Sequence, residues 1–221
     1  MRLTIFNGSP RGEDSNTRVL LEHFINGFTA TSGNTYELAY LIKKDNGNSV
    51  RLFQEAEHVL LAFPLYYDAM PGHVKTFIES LEPFCGRRND LEIAFIVQSG
   101  YPEAVHSASL KPYLEGLVKQ LGCKYTGTVA LGGVEVIRAT PALSNKRLFE
   151  SFRKLGEVFG KTGALDRQVV AKLAKPEKYS EFQVKFLNLA ANILCWHPLL
   201  KKNHAYERRF AKPDTAGLES V

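Results

Sequence analysis

The chain has 221 residues, 44% of them apolar and 23% charged, enough for one large domain or a domain with an extension, and a composition unlike that of a disordered or fibrous chain. The net charge is +5 with an isoelectric point near 9.0, most of it after Asp166. No basic stripe interleaved with aromatics appears, so no nucleic-acid partner is expected. Cys85, Cys123 and Cys195 lie far apart, with no Cys-x-x-Cys and no histidine cluster at ligand spacing. This excludes a zinc site or disulfide framework and, with no export signal or membrane-spanning run read in the sequence, leads us to expect a reduced, cytoplasmic protein.

A first strand is expected from Arg2 to Phe6. It breaks at Asn7-Gly8-Ser9-Pro10-Arg11, after which Ser15-Asn16-Thr17 opens a helix running to Phe28, with Val19, Leu20, His23, Phe24 and Gly27 on one side. A strand that ends in a Gly/Ser loop and feeds a helix N-terminus can cradle phosphate, because loop amides, hydroxyls and the helix dipole all favour an anion there. The loop is neither a Walker A motif nor G-x-G-x-x-G. Its hydroxyls and single Arg suit a terminal phosphate monoester better than a pyrophosphate. The same residues also read as an ordinary turn followed by an N-cap.

The next strand is expected over Tyr36 to Ile42, then a turn at Asp45-Asn46-Gly47-Asn48, a short connection from Val50 to Ala56, and a strand from His58 to Phe63 that is continuously apolar from Val59. That third strand exits through Pro64-Leu65-Tyr66-Tyr67-Asp68-Ala69-Met70-Pro71-Gly72. Pro64 removes a ladder donor, and two aromatics beside main-chain hydrogen-bonding groups suit a planar heteroaromatic ring with polar edges. Capping of the sheet by the same tyrosines is the alternative. A helix carrying Val74, Phe77, Ile78 and Leu81 follows. A fourth strand, Glu92 to Gln98, ends in Ser99-Gly100-Tyr101-Pro102-Glu103, where Gly100 allows close backbone approach and Tyr101 can lie against a ring.

Leu110, Leu114, Leu117, Val118 and Leu121 form the next helical face. A fifth strand from Tyr125 to Leu131 leads into Gly132-Gly133-Val134-Glu135, and Leu148, Phe152, Leu155 and Phe159 mark a further helix. Strands apolar on both faces, alternating with helices, give a doubly wound, three-layer α/β fold with a five-stranded parallel sheet over residues 1–165. Residues 166–221 form a C-terminal extension: a linker at Ala174-Lys175-Pro176-Glu177, a helix from about Ser180 to Trp196, and a polar tail. That helix places Phe182, Phe186, Leu189, Ala190, Ile193 and Leu194 at helical spacing. Packing on the domain or on a second copy is favoured for it over a membrane surface.

Three loops at the ligand end of one sheet, one for phosphate and two for a ring, resemble the NAD(P)H-dependent FMN reductase family of the flavodoxin-like superfamily. The residues that carry the resemblance are Gly8-Ser9-Pro10-Arg11 with Ser15-Asn16-Thr17, Pro64-Leu65-Tyr66-Tyr67 through Gly72 with Lys75, and Ser99 to Glu103. It implies a flavodoxin-like fold in which Ser9, Arg11, Asn16 and Thr17 hold the FMN phosphate. Pro64, Leu65, Tyr66 and Tyr67 would contact the isoalloxazine edge, and Ser99, Gly100 and Tyr101 would close its other side.

The implied activity passes a hydride from NADPH or NADH through FMN to a small electron acceptor such as a quinone, a nitro or azo compound or a metal chelate, in a homodimer. The cofactor carries the chemistry, so no catalytic residue is named. A flavodoxin-like electron carrier, disfavoured by the basic charge, and a non-catalytic binding module are the alternatives. The chain departs from the family in the short connection after its second strand, in Gly132-Gly133-Val134-Glu135, which matches no nicotinamide motif, and in its tail.

Overall fold

A computed structural model describes residues 1–42, 46–107, 109–135, 137–138, 142–173 and 178–211; Asp45 of the expected turn and the expected linker at 174–177 lie outside them. Five strands, β1 (Arg2–Asn7), β2 (Thr35–Tyr40), β3 (His58–Pro64), β4 (Glu92–Gln98) and β5 (Lys124–Leu131), pair in the order β2-β1-β3-β4-β5, every pair parallel. The helices between them are α1 (Asn16–Phe28), α2 (Asn46–Glu55), α3 (Gly72–Glu79) and α4 (Leu110–Leu121), followed by α5 (Lys146–Thr162) and α6 (Arg167–Leu173). The chain has the doubly wound flavodoxin-like fold.

The period of two along each strand sorts side chains between two cores. Leu3, Ile5, Leu60, Ala62, Ala94 and Ile96 point toward α1 and α5, where Leu20, Phe24, Phe152, Leu155 and Phe159 meet them. Val59, Leu61, Phe63, Ile93, Phe95 and Val97 face the opposite way, onto Phe53 of α2, Val74 and Phe77 of α3, and Leu114 and Val118 of α4. Strands covered on both faces need unbroken apolar runs, which is why β3 and β4 contain almost nothing else. Burying each such side chain contributes roughly 1.5–3 kcal/mol.

Two compact units divide between Glu177 and Lys178. α6, which the change in composition had assigned to the extension, contributes Val169 and Leu173 to the core of the first unit. The second unit is helical. Ser180 and Gln183 form a capping box for α7 (Glu181–Ala191), and one wider turn, Asn192–Trp196, joins it to α8 (His197–Lys202). The helix thus runs past the expected stop at Trp196, because Pro198 falls in the first turn of α8, where its missing N–H is not needed.

Candidate functional site

Right-handed crossovers bring the loops after β1, β3, β4 and β5 to one end of the sheet, and the chain reverses direction of winding between β1 and β3. The loop after β1 is braced from below. Gly8 N donates to Ala62 O at 2.7 Å, and a Cβ on Gly8 would lie 2.4 Å from Val74 Cγ2, so only glycine lets the chain pass this close to α3. Asn7 Oδ1 accepts from Ser9 N at 2.9 Å, and His73 Nε2 lies 3.0 Å from Gly8 O. Ser15 caps α1, its hydroxyl donating to Gly12 O at 2.7 Å and accepting from Arg18 N at 3.0 Å. That cap serves the third helical amide; those of Asn16 and Thr17 belong to the first turn, which has no intrahelical acceptors and faces the loop with the positive end of the helix dipole.

After β3, Leu65 N extends the ladder to Gln98 O at 2.7 Å. Tyr66 and Ala69 then exchange both backbone hydrogen bonds, at 2.9 and 3.0 Å, closing a two-residue hairpin whose tip is Tyr67 and Asp68. Both tip residues have positive φ, 48° and 61°, a conformation that side-chain-bearing residues rarely adopt. Tyr67 is 91% exposed. Tyr67 therefore does not cap the sheet; it stands at the tip of a strained turn.

The loop after β4 faces this turn. Ser99 Oγ donates to Tyr101 O at 3.1 Å, folding the loop on itself. The Tyr101 ring stacks on His106 with centroids 4.4 Å apart and planes at 26°. His106 Nδ1 lies 3.2 Å from Asp68 Oδ1, so the two ring loops meet across an imidazole–carboxylate pair. After β5, Glu135 Oε1 approaches Arg11 Nη2 at 3.2 Å, both side chains half-exposed or more. Asn16 Nδ2 donates to Val134 O at 2.8 Å and to Glu135 O at 3.2 Å.

Together the loops enclose an open cleft of about 390 Å³. All the expected site residues line it except Thr17 and Ser99; Gln98 and Glu135 join them. Thr17 is fully buried with its hydroxyl 3.5 Å from Gln98 Nε2, and Ser99 turns its hydroxyl into its own loop, so the amide of Thr17, rather than its side chain, is the group near the loop after β1. The Asn16 amide group is already committed to the β5 loop, and Lys75 pairs with Glu79 on its own helix. Gln98 and Glu135 were legible only as a polar strand end and an unassigned loop, and His106 had no sequence signal at all.

The donor set suits a flat ligand with one terminal phosphate: a hydroxyl at Ser9, the α1 amides and Arg11 at one end, aromatic surfaces at the other. Among the described residues, no group of His, Cys, Asp and Glu side chains is placed to hold a metal ion.

The comparisons agree with this architecture. A family model described as a flavodoxin-like fold, Flavodoxin_2, matches residues 1–151. The chain belongs to the Flavodoxin_2 family. No curated protein sequence matches it. Among solved structures, it is similar to an azoreductase from Bacillus anthracis str. Sterne, with TM-score 0.58 and 16% identity over 72% of this chain and 100% of the other. It is also similar to an FMN-dependent NADH-azoreductase from Bacillus anthracis str. Ames Ancestor in complex with FMN, with TM-score 0.55, 14% identity, and the same coverage of 72% and 100%. A third is an NAD(P)H:quinone oxidoreductase from Methanothermobacter marburgensis, with TM-score 0.59 and 17% identity over 71% of this chain and 96% of that one. At such identities the likeness is one of fold.

Proposed function

We propose that the first unit binds FMN in the cleft above β1, β3 and β4, and that the protein is an NAD(P)H-dependent oxidoreductase acting on a small electron acceptor such as a quinone, nitro or azo compound. One observation carries the reading: a hydroxyl-rich loop at a helix N-terminus and two tyrosine-bearing loops converge on a single cleft at the point where the strand order reverses. Family membership supports it, as do the cofactors and acceptors named for the structural neighbours.

FMN, when bound, supplies the hydride and electron transfer between nicotinamide and acceptor. The work of the chain is to hold and expose it. Ser9, Arg11 and the first amides of α1 hold the phosphate; Tyr66 and Tyr101 flank the ring; the amides of the Tyr67–Asp68 tip present donors to its polar edge. The reading extends to a homodimer in the cytoplasm with NADPH or NADH as co-substrate.

The purified protein is expected to show the visible absorption bands of a flavin, to bind FMN more tightly than FAD in calorimetry, and to oxidise NADPH or NADH when a quinone is added. Sedimentation tests the dimer. Flavin binding with no nicotinamide oxidation would leave an electron carrier, and no flavin binding would overturn the reading.

A further inference from the structure

The second unit carries an apolar surface that the proposed chemistry does not use. Phe182, Phe186, Leu189, Ile193 and Trp196 follow one another at steps of three and four, so they form one stripe along α7 and the turn after it. All five are exposed, Phe182 by 79% and Trp196 by 55%, and beside them Leu194 is exposed by 74%. A contiguous exposed patch of this kind marks a docking surface.

Cations surround it. Among the described residues of this unit, Lys178, Lys185, Lys201, Lys202, Arg208 and Arg209 are exposed, against Glu181 and Glu207. The end of the stripe is a built feature rather than a loose tail. The chain turns back at His204, whose φ is 54°, and Ala205 N donates to Leu200 O at 2.9 Å. Lys201 Nζ and the Arg209 guanidinium both sit over the Tyr206 ring, 5.2 and 4.0 Å from its centroid. Phe210, 85% exposed, lies beside Arg209.

We propose that this helix lies in the surface of an anionic phospholipid bilayer, its stripe among the acyl chains and its cationic end on the phosphates. Charge decides between a bilayer and a second copy. Pairing two stripes would bring together two units that each expose six cations against two acidic residues among the described residues, whereas anionic headgroups complement them. Trp196, at the edge of the stripe next to the cations, has the amphipathic ring that favours the headgroup level. No described helix is long and apolar enough to cross a membrane, so the placement is in the plane. This goes beyond the sequence pattern, which favoured packing on protein: the spacing was legible, but the exposure of the whole stripe and the folded cationic end were not.

The proposal is independent of the flavin reading and is tested on the full chain. Vesicles of phosphatidylcholine alone, and of phosphatidylcholine and phosphatidylglycerol in equal parts, are mixed with the protein and sedimented. The chain has a single tryptophan, so a blue shift of its emission reports directly on this surface. Binding is expected at least about tenfold stronger to the anionic vesicles, weakened by salt, and accompanied by the blue shift. The double variant Lys201→Ala/Lys202→Ala is expected to lose about tenfold in binding. Phe186→Ser/Leu189→Ser is expected to abolish the blue shift while leaving the circular dichroism melt unchanged, since neither side chain is buried. No association with anionic vesicles overturns the proposal. So does a wild-type dimer that Phe186→Ser/Leu189→Ser converts to a monomer while vesicle binding stays the same, which would make the stripe a contact between copies.

Discussion

Tyr67 and Asp68 hold a left-handed backbone at the tip of the β3 loop, a conformation that disfavours an ordinary L-residue by about 1–2 kcal/mol. Such strain persists where the surroundings enforce it, commonly at ligand sites. Tyr67→Asn, with a side chain that tolerates this region, is expected to raise stability by about 0.5–1 kcal/mol and to weaken FMN binding; the urea midpoint and calorimetry read the two effects. At the other end of the cleft, Arg11 faces Glu135 in an exposed pair worth at most about 1 kcal/mol, which a phosphate displaces readily. Arg11→Ala is expected to weaken FMN binding by about 1.5–3 kcal/mol. Glu135→Gln is expected to tighten it about threefold to fivefold at low salt, with calorimetry as the measure of both. Arg11 was legible in the sequence because its loop type announces an anion. Glu135 was not, since its approach to Arg11 depends on where β5 ends in space. For the same reason Asn16, a phosphate holder by the family resemblance, has its side-chain amide engaged by Val134 and Glu135.

The tightest contact between elements is that of α1 with α5. A Cβ on Gly27 would fall 1.8 Å from Arg153 O, and one on Gly156 would fall 1.8 Å from Phe24 O, so the two helices touch backbone to backbone. Gly156→Ala must separate them and disturb the core around Phe24 and Phe159; a loss of about 3 kcal/mol or more is expected in urea unfolding. Gly27 was placed on the correct face by helical period, yet nothing local distinguishes a glycine at a crossing from one of convenience. Arg88 is another such case. It is buried, donates to Phe53 O at 2.8 Å and Gln54 O at 3.1 Å, closes the end of α2 through Ala56 O at 2.6 Å, and pairs with Asp90 at 3.1 Å. The second of two arginines in the turn Gly86-Arg87-Arg88-Asn89-Asp90 carries no local sign of that role.

At the scale of the whole molecule, stability is coupled to pH through His23, which stacks on Phe149 with centroids 4.0 Å apart. Burial holds its pKa below the ordinary 6.5, with Glu22 opposing more weakly. As pH falls below 6.5 the unfolded chain takes up a proton that the folded one resists, so stability declines until the lowered pKa is reached. His23→Phe keeps the stack and removes the titration; its melting temperature is expected to vary less than that of the wild type between about pH 7 and pH 5. The order of strands and helices, the two-faced apolar strands and the three ligand-end loops were determined by the sequence alone, because periodicity, turn residues and caps are local and each agrees with its neighbours. Only the tertiary structure decided which polar side chains meet: Arg11 with Glu135, His106 with Asp68 and Tyr101, Asn16 with the β5 loop, and the commitment of α6 to the first core. Those pairs join residues distant along the chain, and what brings them together is the register of a sheet whose side chains no local pattern encodes.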